Sequence, residues 1–241
     1  GVIGGVTGYI NHWNPKVDLK TNICRQILSR NGYMYNKAEN IIGASLRELS
    51  VYDTILACIA GGCDKLNDLY LKTGFSRAKI SVYMKNLAAS DIIEKAVSFE
   101  TGGWENAKKG VYRIRDNYVN FWFRFIYKYR SAVEIGNMEY LYKVVERDYD
   151  TYSGIILEKY FRQLFAESNE YSDIQGYWDN KGENEIDLIA VNDMEKRIVI
   201  GEVKRNAKRI SLPLLERKAE NIIKKHSSYQ IEFRGFSLED M

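Results

Sequence analysis

The stretch that decides the fold of this chain is ENEIDLIAVNDMEKRIVIGEVK, residues 183–204. It contains two apolar runs separated by the turn-prone pair Asn192-Asp193, and this pattern predicts two strands joined as a hairpin. If the strands pair around a centre near Met194, Asp187 lies opposite Glu202. The hairpin register therefore predicts that two carboxylates meet.

A lysine follows the second of these acids at a spacing that places it on the same side of the strand. Because side chains alternate along a strand, Glu202 and Lys204 project from one face while Val203 points into the core. We therefore expect Asp187, Glu202 and Lys204 to converge in one pocket.

Two carboxylates and one ammonium group in a common pocket suit phosphodiester hydrolysis. Asp187 and Glu202 would hold Mg²⁺, which polarises the scissile phosphate and lowers the pKa of an attacking water. Lys204 would offset the developing negative charge. Glu158, on the preceding helix, is a further candidate catalytic acid. The alternatives are a surface hairpin with a cross-strand Glu/Lys pair and, for Glu158, an i,i+4 pairing with Arg162.

The segments around the hairpin predict the order helix, strand, strand, strand, helix. The expected elements are a helical region over Met138–Ser168 whose buried side carries Leu157, Phe161, Leu164 and Phe165, strands over Ile174–Trp178, Glu185–Val191 and Arg197–Lys204, and a helix from Leu212 to about Lys225. A Glu-x-Lys string arises easily by chance, and Glu216-Arg217-Lys218 is a second one, on a helix. The element order is what distinguishes Glu202-Val203-Lys204.

Upstream, residues 50–115 predict a winged helix-turn-helix. Two helical stripes end at Gly61-Gly62 and at Gly74, and a third helix follows with Ser76 as its N-cap. Ile80, Tyr83, Met84 and Leu87 form the predicted buried stripe of that helix. Strands over Ile92–Phe99 and Val111–Ile114, around a Gly102-Gly103 loop, complete the wing.

The third helix leaves Arg77, Ser81 and Lys85 on its outer face, at four-residue steps. These three side chains would enter a DNA major groove while Lys108 and Lys109 of the wing meet phosphates. The alternative is that the same scaffold docks a protein or acts as a lid, since the net charge of +3 permits nucleic acid without requiring it.

Helical patterns also cover residues 1–49, with helices expected over Asp18–Ser29 and Ala38–Leu49. The aromatic stretch YVNFWFRFIYKYR, residues 118–130, predicts a helix buried on nearly all sides, with Trp122 and Phe125 in the core. The predicted organisation is a helical segment at 1–49, the winged helix with this trailing helix at 50–130, and an α/β domain at 131–241.

Composition excludes several classes of protein. Cys24, Cys58 and Cys63 are odd in number and lack zinc-ribbon spacing, so they are predicted to be reduced, buried thiols. With only two histidines, a metal site would need carboxylate ligands, which favours magnesium. The sequence offers no signal peptide and no long apolar run, which predicts a cytoplasmic protein without a membrane partner.

Five segments resemble the archaeal and bacterial P-loop ATPases whose C-terminal region was long catalogued as a domain of unknown function. GGVTGYI (4–10) resembles a segment that follows the ATPase core, with Thr7 where proline is usual. Residues 52–87 are similar to the family's winged helix, and YRIRDNYVNFWFRFIY (112–127) is the most distinctive match. EIDLIA and IGEVK resemble its acidic motif, with Val203 replacing the usual cysteine.

The resemblance implies a nuclease-like C-terminal domain and an ATPase domain that should precede Gly1, so the chain is interpreted as a fragment. Asp187, Glu202 and Lys204 carry over to the motif positions, and Glu158 only as a helix acid. The residues contain no Gly-x-x-x-x-Gly-Lys-Ser/Thr loop, so no ATP site is expected in them.

Together these observations predict an α+β protein in which a helical segment and a winged helix-turn-helix precede a restriction-endonuclease-like α/β domain. The expected function is DNA binding with a magnesium-dependent, nuclease-like activity, alongside the protein's own ATPase domain. The alternative is a non-catalytic module that docks DNA or protein and regulates the ATPase.

Overall fold

The computed structural model describes residues 1–99, 110–179 and 184–241. It shows an α+β protein with a helical N-terminal part, as predicted. None of the helices in these three ranges combines the length and apolar character that a membrane span requires.

The chain divides into two compact units. The first comprises Gly1–Lys95 and Val111–Tyr149, and the second comprises Ala96–Gly110 and Asp150–Met241. The helices before residue 50 thus share a unit with residues 50–95, and the boundary at Tyr149 falls inside a helix. No Pro- or Ser-rich linker marks this position in the sequence.

Short helices make up most of the first unit. They are α1 (Thr7–Ile10), α2 (Leu19–Asn22), a π-helical segment (Ile23–Leu28), α3 (Lys37–Ser45), α4 (Leu49–Ala60), α5 (Leu66–Thr73), α6 (Arg77–Ala89), α7 (Asn117–Phe125), a 3₁₀ turn (Tyr127–Tyr129) and α8 (Arg130–Glu134). The helix expected over residues 18–29 is thus split between α and π geometry. The helix expected to reach Leu49 ends at Ser45, because Leu46 is extended and Glu48 is left-handed.

The three helices expected in residues 50–90 are present as α4, α5 and α6. Gly74 ends α5 with a φ of 71°, a conformation that favours glycine. Ser76 then caps α6, its hydroxyl accepting a hydrogen bond from the backbone N–H of Lys79 at 3.2 Å. Ile80, Met84 and Leu87 are buried beneath α6, whereas Tyr83 is only partly buried.

Two strands follow, β1 (Ile93–Val97) and β2 (Gly110–Ile114), and they form a two-stranded sheet. Asp116 then caps α7, accepting from the N–H of Val119 at 3.0 Å. Trp122 and Phe125 are 4% and 0% exposed, which confirms that the aromatic helix is a core element.

Asp53 on α4 is a half-buried carboxyl group whose pKa is raised. Burial, followed by the charge of Glu39, raises its pKa from 3.8 to about 6, while Arg130 acts in the opposite direction. Asp53 therefore binds its proton more tightly in the folded state than in the unfolded state. Because of this difference, the free energy of unfolding falls as the pH rises from about 4 to about 6.

We expect Asp53→Asn to raise the melting temperature by about 2 °C or more near neutral pH and to change it little below the ordinary carboxyl pKa. Calorimetric melting curves across this pH range measure the effect. A difference between the two proteins that does not depend on pH would contradict this assignment.

The described residues of the second unit form a four-stranded sheet and three helices. Its elements are α9 (Met138–Glu167, entering from the first unit), β3 (Asp173–Trp178), β4 (Glu185–Asn192), β5 (Arg197–Val203), a 3₁₀ turn (Ala207–Arg209), α10 (Leu212–Lys218), α11 (Glu220–Lys225), β6 (Gln230–Phe236) and a 3₁₀ turn (Leu238–Asp240). The strand order is β3-β4-β5-β6; β5 pairs antiparallel with β4 and parallel with β6.

Helices cover both faces of this sheet, which explains why its central strands are apolar throughout. On one face, Leu215, Ala219 and Ile222 of the α10–α11 region pack against β4 and β5. On the other face, residues of α9 pack against Val203, Leu188, Ala190 and Val199. The ends of β4 and β5 that carry Asp187 and Glu202 are thus fixed between two packed layers.

Several details of the second unit differ from the predictions. Leu164 is 43% exposed, although Leu157, Phe161 and Phe165 are buried as expected. The helix predicted from Leu212 to Lys225 is interrupted at Ala219. Strand β6 was not predicted at all.

Phe99 is a further unpredicted part of this unit, since it packs in the α10–α11 core and its N–H donates to the carbonyl of Gly176 at 2.9 Å.

Candidate functional site

The carboxylates of Asp187 and Glu202 meet the ammonium group of Lys204 where β4 begins and β5 ends. Lys204 Nζ lies 3.1 Å from Asp187 Oδ2 and 3.4 Å from Glu202 Oε1. Asp187 and Glu202 are 9% and 4% exposed, while the Lys204 side chain is 36% exposed. The structure therefore brings the three predicted residues together, and we call this cluster the acidic site.

The predicted hairpin register produces this convergence. Strands β4 and β5 pair from Asn192↔Arg197 to Leu188↔Gly201. Asp187 comes one residue before Leu188, and Glu202 one residue after Gly201, so the two acids face each other at the open end of the hairpin. The prediction of a hairpin centred near Met194 is confirmed.

A β-bulge lies at the same point and was not predicted. Between the pairs Gln175↔Ile189 and Tyr177↔Ile186, β3 advances by two residues and β4 by three. Gly176 consequently faces both Asp187 and Leu188. A bulge redirects the side chain that it carries, and bulges are frequent beside functional sites.

Three donors hold Asp187 in place. Its Oδ2 accepts a hydrogen bond from the backbone N–H of Val203 at 2.8 Å, in addition to the contact with Lys204. Its carbonyl oxygen accepts from Arg162 Nη1 of α9 at 2.6 Å. Asp187 is therefore fixed through both its side chain and its backbone, by groups from β5 and α9.

Glu202 is held from the opposite side by residues at the two ends of α10. Its Oε2 accepts from the backbone N–H of Ser211 at 3.0 Å, and Lys218 Nζ lies 3.9 Å from its Oε1. Lys218 belongs to Glu216-Arg217-Lys218, the second Glu-x-Lys string of the sequence. Lys218 thus gives the acidic site a second ammonium group, which was not predicted from the sequence.

Lys204 stays protonated at neutral pH. Burial alone would lower the pKa of its ammonium group, but the adjacent carboxylates of Asp187 and Glu202 outweigh this effect and raise the pKa above its ordinary value of 10.5. Lys204 can therefore supply positive charge to a phosphate, but it cannot accept a proton as a general base.

Glu158 pairs with Arg162 at i,i+4, as the alternative interpretation of this residue predicts. Its Oε2 lies 3.6 Å from Arg162 Nη2, one helical turn further along α9. Arg162 in turn binds the backbone of Asp187. Glu158 is thus connected to the acidic site through Arg162.

The donor chemistry of the site fits a hard divalent cation. Magnesium is typically bound by one or two carboxylates while water and phosphate oxygens fill its other positions. Asp187 and Glu202 supply such a pair, each with one oxygen anchored by a backbone N–H. Within the described ranges, no group of three or more Asp, Glu, His or Cys side chains forms a metal-binding cluster, so Glu158 does not complete a third ligand there.

Three of the predicted DNA-contacting residues lie on α6, in the first unit. Arg77, Ser81 and Lys85 are all exposed on α6, as expected. Arg77 also donates to Asn67 Oδ1 at 3.2 Å and lies over the ring of Tyr70. Lys108 and Lys109 lie outside the described residues.

Comparison with known proteins finds a sequence family that is similar to the part of the chain holding the acidic site. Residues 122–222 match the family DUF234, described as archaeal and bacterial proteins of unknown function. This match includes Asp187, Glu202, Lys204, Arg162 and Lys218. The DUF234 match leaves α6 outside.

The chain is also similar to an uncharacterized protein of Methanocaldococcus jannaschii, with 30% identity over 210 residues. This alignment covers 85% of the chain and 46% of the archaeal protein, so the chain spans about half the length of this curated relative. No solved structure matches the chain.

Proposed function

We propose that the second unit is a magnesium-dependent phosphodiesterase of the nuclease type and that it acts on DNA. The observation that carries this proposal is the contact of one protonated lysine with two buried carboxylates, 3.1 and 3.4 Å away, beside a β-bulge at the end of two central strands. The order α9-β3-β4-β5-α10-β6 supports the restriction-endonuclease-like fold that the sequence resemblance implies.

Electrostatic balance indicates how such a site would work. Two carboxylates face the ammonium groups of Lys204 and Lys218, so the cluster without a metal is close to neutral. When bound between Asp187 and Glu202, Mg²⁺ would supply Lewis-acid activation of water and phosphate. The added charge would leave the site electropositive, and an anionic phosphate diester would be attracted to it.

Each residue of the acidic site has its own role in the proposed hydrolysis. Asp187 and Glu202 would bind the cation, and the N–H groups of Val203 and Ser211 fix the orientation of the two carboxylates. Lys204 offers its proton-bearing nitrogen to the phosphate oxygens as negative charge develops. Arg162 acts at one remove, by holding the carbonyl of Asp187.

The direct test is incubation of the purified chain with linear duplex, supercoiled and single-stranded DNA in Mg²⁺, Mn²⁺ or Ca²⁺. We expect cleavage of at least one DNA form with Mg²⁺ or Mn²⁺ and its loss with a chelator. Absence of cleavage from every form, by protein that takes up Mn²⁺ and binds DNA, would contradict the catalytic proposal.

We further propose that the exposed face of α6 binds the DNA. Charge reversal at Arg77 and Lys85 should weaken duplex binding about tenfold and flatten its salt dependence by roughly two phosphate contacts. Fluorescence anisotropy at several salt concentrations measures both quantities. Reversal of the exposed Arg30 and Lys16 is the matched control, because it changes the net charge equally. Equal losses in the two double variants would contradict a specific role for α6.

A second candidate function is docking without catalysis, as a regulatory module of an ATPase. The observation in its favour is that Lys204 and Lys218 already neutralise the two acids, which is also how a structural ion-pair cluster behaves. On this alternative the chain binds DNA or a protein but takes up no Mn²⁺. An ATPase domain of the kind that the sequence resemblance implies would then be the partner to test.

A further inference from the structure

The turn that ends α4 brings two cysteines together. The N–H of Cys63 donates to the carbonyl of Cys58 at 2.9 Å, and the N–H of Gly62 donates to that of Ile59 at 2.9 Å. Gly62 has a φ of 99°, in the left-handed region. This pair of hydrogen bonds around a left-handed glycine is the Schellman motif.

The Schellman motif folds the residue after its glycine back onto the last turn of the helix. The side chain of this residue, here Cys63, frequently contacts the side chain in the last helical turn whose carbonyl accepts its N–H, here Cys58. Here both positions are cysteine, and both residues are partly exposed rather than buried as predicted. The two positions where a Schellman motif usually carries apolar side chains are therefore occupied here by partly exposed cysteines.

The electrostatic interaction between the two cysteines agrees with this placement. Burial raises the pKa of Cys58, the charge of Cys63 raises it further, and Lys72 acts in the opposite direction. Cys24 lies in the π-helical segment, and its pKa responds to burial and to charged residues other than these two cysteines.

We propose that Cys58 and Cys63 are a dithiol pair that closes to an intramolecular disulfide by exchange with a small disulfide such as glutathione disulfide. One cysteine thiolate attacks the glutathione disulfide and releases one glutathione thiolate. The second cysteine thiolate attacks the resulting mixed disulfide and releases the other. The protein loses two protons and two electrons, and the glutathione disulfide is reduced to two glutathione molecules.

The Schellman geometry favours the internal bond over two mixed disulfides. Residues joined by a short connection have an effective concentration in the millimolar range or above, and the motif holds them closer than a flexible linker does. The pair lies outside the acidic site, so its test is independent of the proposed nuclease.

The test uses the full chain in glutathione redox buffers, quenched with an alkylating agent and digested with trypsin. Cys58 and Cys63 fall in one tryptic peptide, Glu48–Lys65, whereas Cys24 falls in another, Thr21–Arg25. We expect the first peptide to become lighter by two hydrogen atoms, without glutathione or alkyl adducts. Cys24 should carry alkyl or glutathione only.

Unfolding and variants separate geometry from simple sequence proximity. The disulfide should form at a glutathione ratio at least about tenfold more reducing in the folded chain than in urea. Gly62→Ala should lose part of this advantage, because alanine is strained at a φ of 99°. In Cys58→Ser, Cys63 should form only a mixed disulfide.

Circular dichroism establishes that each variant is folded before the exchange is measured. Glutathione adducts on both cysteines of the folded wild type, or equal closure in the folded and urea-unfolded chains, would overturn the proposal. The Cys24→Ser variant is the matched control and should close as the wild type does.

Discussion

Replacement of Asp187 by asparagine should lower metal-dependent DNA cleavage by at least about 100-fold. Asparagine keeps an oxygen that can accept from the N–H of Val203, so the local backbone should remain in place. It removes the negative charge that faces Lys204 and would hold the cation. Initial cleavage rates at saturating Mg²⁺ measure the loss.

Glu185→Gln is the matched control for this variant. Glu185 is exposed and lies on the same strand, two residues from Asp187. Its replacement should leave the cleavage rate within about twofold. If Asp187→Asn cleaves as the wild type does, Asp187 has no part in catalysis.

Lys204→Met should separate the role of the lysine from that of the carboxylates. Its ammonium nitrogen lies 3.1 and 3.4 Å from their oxygens and competes with any cation bound there. Removal of this charge should strengthen Mn²⁺ binding about threefold or more, because a like charge in contact with the site disappears. Cleavage should nevertheless fall about 100-fold, since the developing charge on the phosphate loses its partner.

Two measurements, calorimetric titration with Mn²⁺ and the cleavage rate, therefore move in opposite directions in this variant. Lys208→Met is the control, because Lys208 is exposed and four residues away. Joint loss of metal binding and cleavage in Lys204→Met, with the fold retained, would show that the lysine only holds the carboxylates in position.

The central part of the acidic site follows directly from the sequence. A polar turn between two apolar runs fixes the register of a hairpin, and the period of two then fixes which residues face each other. Asp187, Glu202 and Lys204 could therefore be placed together before any coordinates. The N-cap of α6 and the end of α5 could also be predicted from the sequence, because Ser76 and Gly74 act through local backbone geometry.

Other parts of the site and of the fold depend on contacts between residues that are far apart in the sequence. No local sequence pattern predicts these contacts. The bulge at Asp187 depends on how Gly176 of another strand aligns with β4. Arg162 and Lys218 reach the acids from two different helices. Phe99 joins the core of the second unit from far along the chain. None of these placements follows from the spacing of residues within one segment.

Strand β6 could have been found. The segment Gln230–Phe236 alternates Ile231 and Phe233 with polar residues, which is the pattern of a strand. Similarly, Gly61-Gly62 was interpreted only as a helix end. The identical residues at Cys58 and Cys63 gain meaning only when the Schellman motif is recognised.

The most direct test of the central claim is whether Asp187 and Glu202 share one divalent cation. Calorimetric titration of the purified chain with Mn²⁺ should show one site per chain that is lost in both Asp187→Asn and Glu202→Gln and kept in Glu185→Gln. Uptake that is unchanged in both acidic variants, or absent from the folded wild type at millimolar Mn²⁺, would contradict a shared metal site.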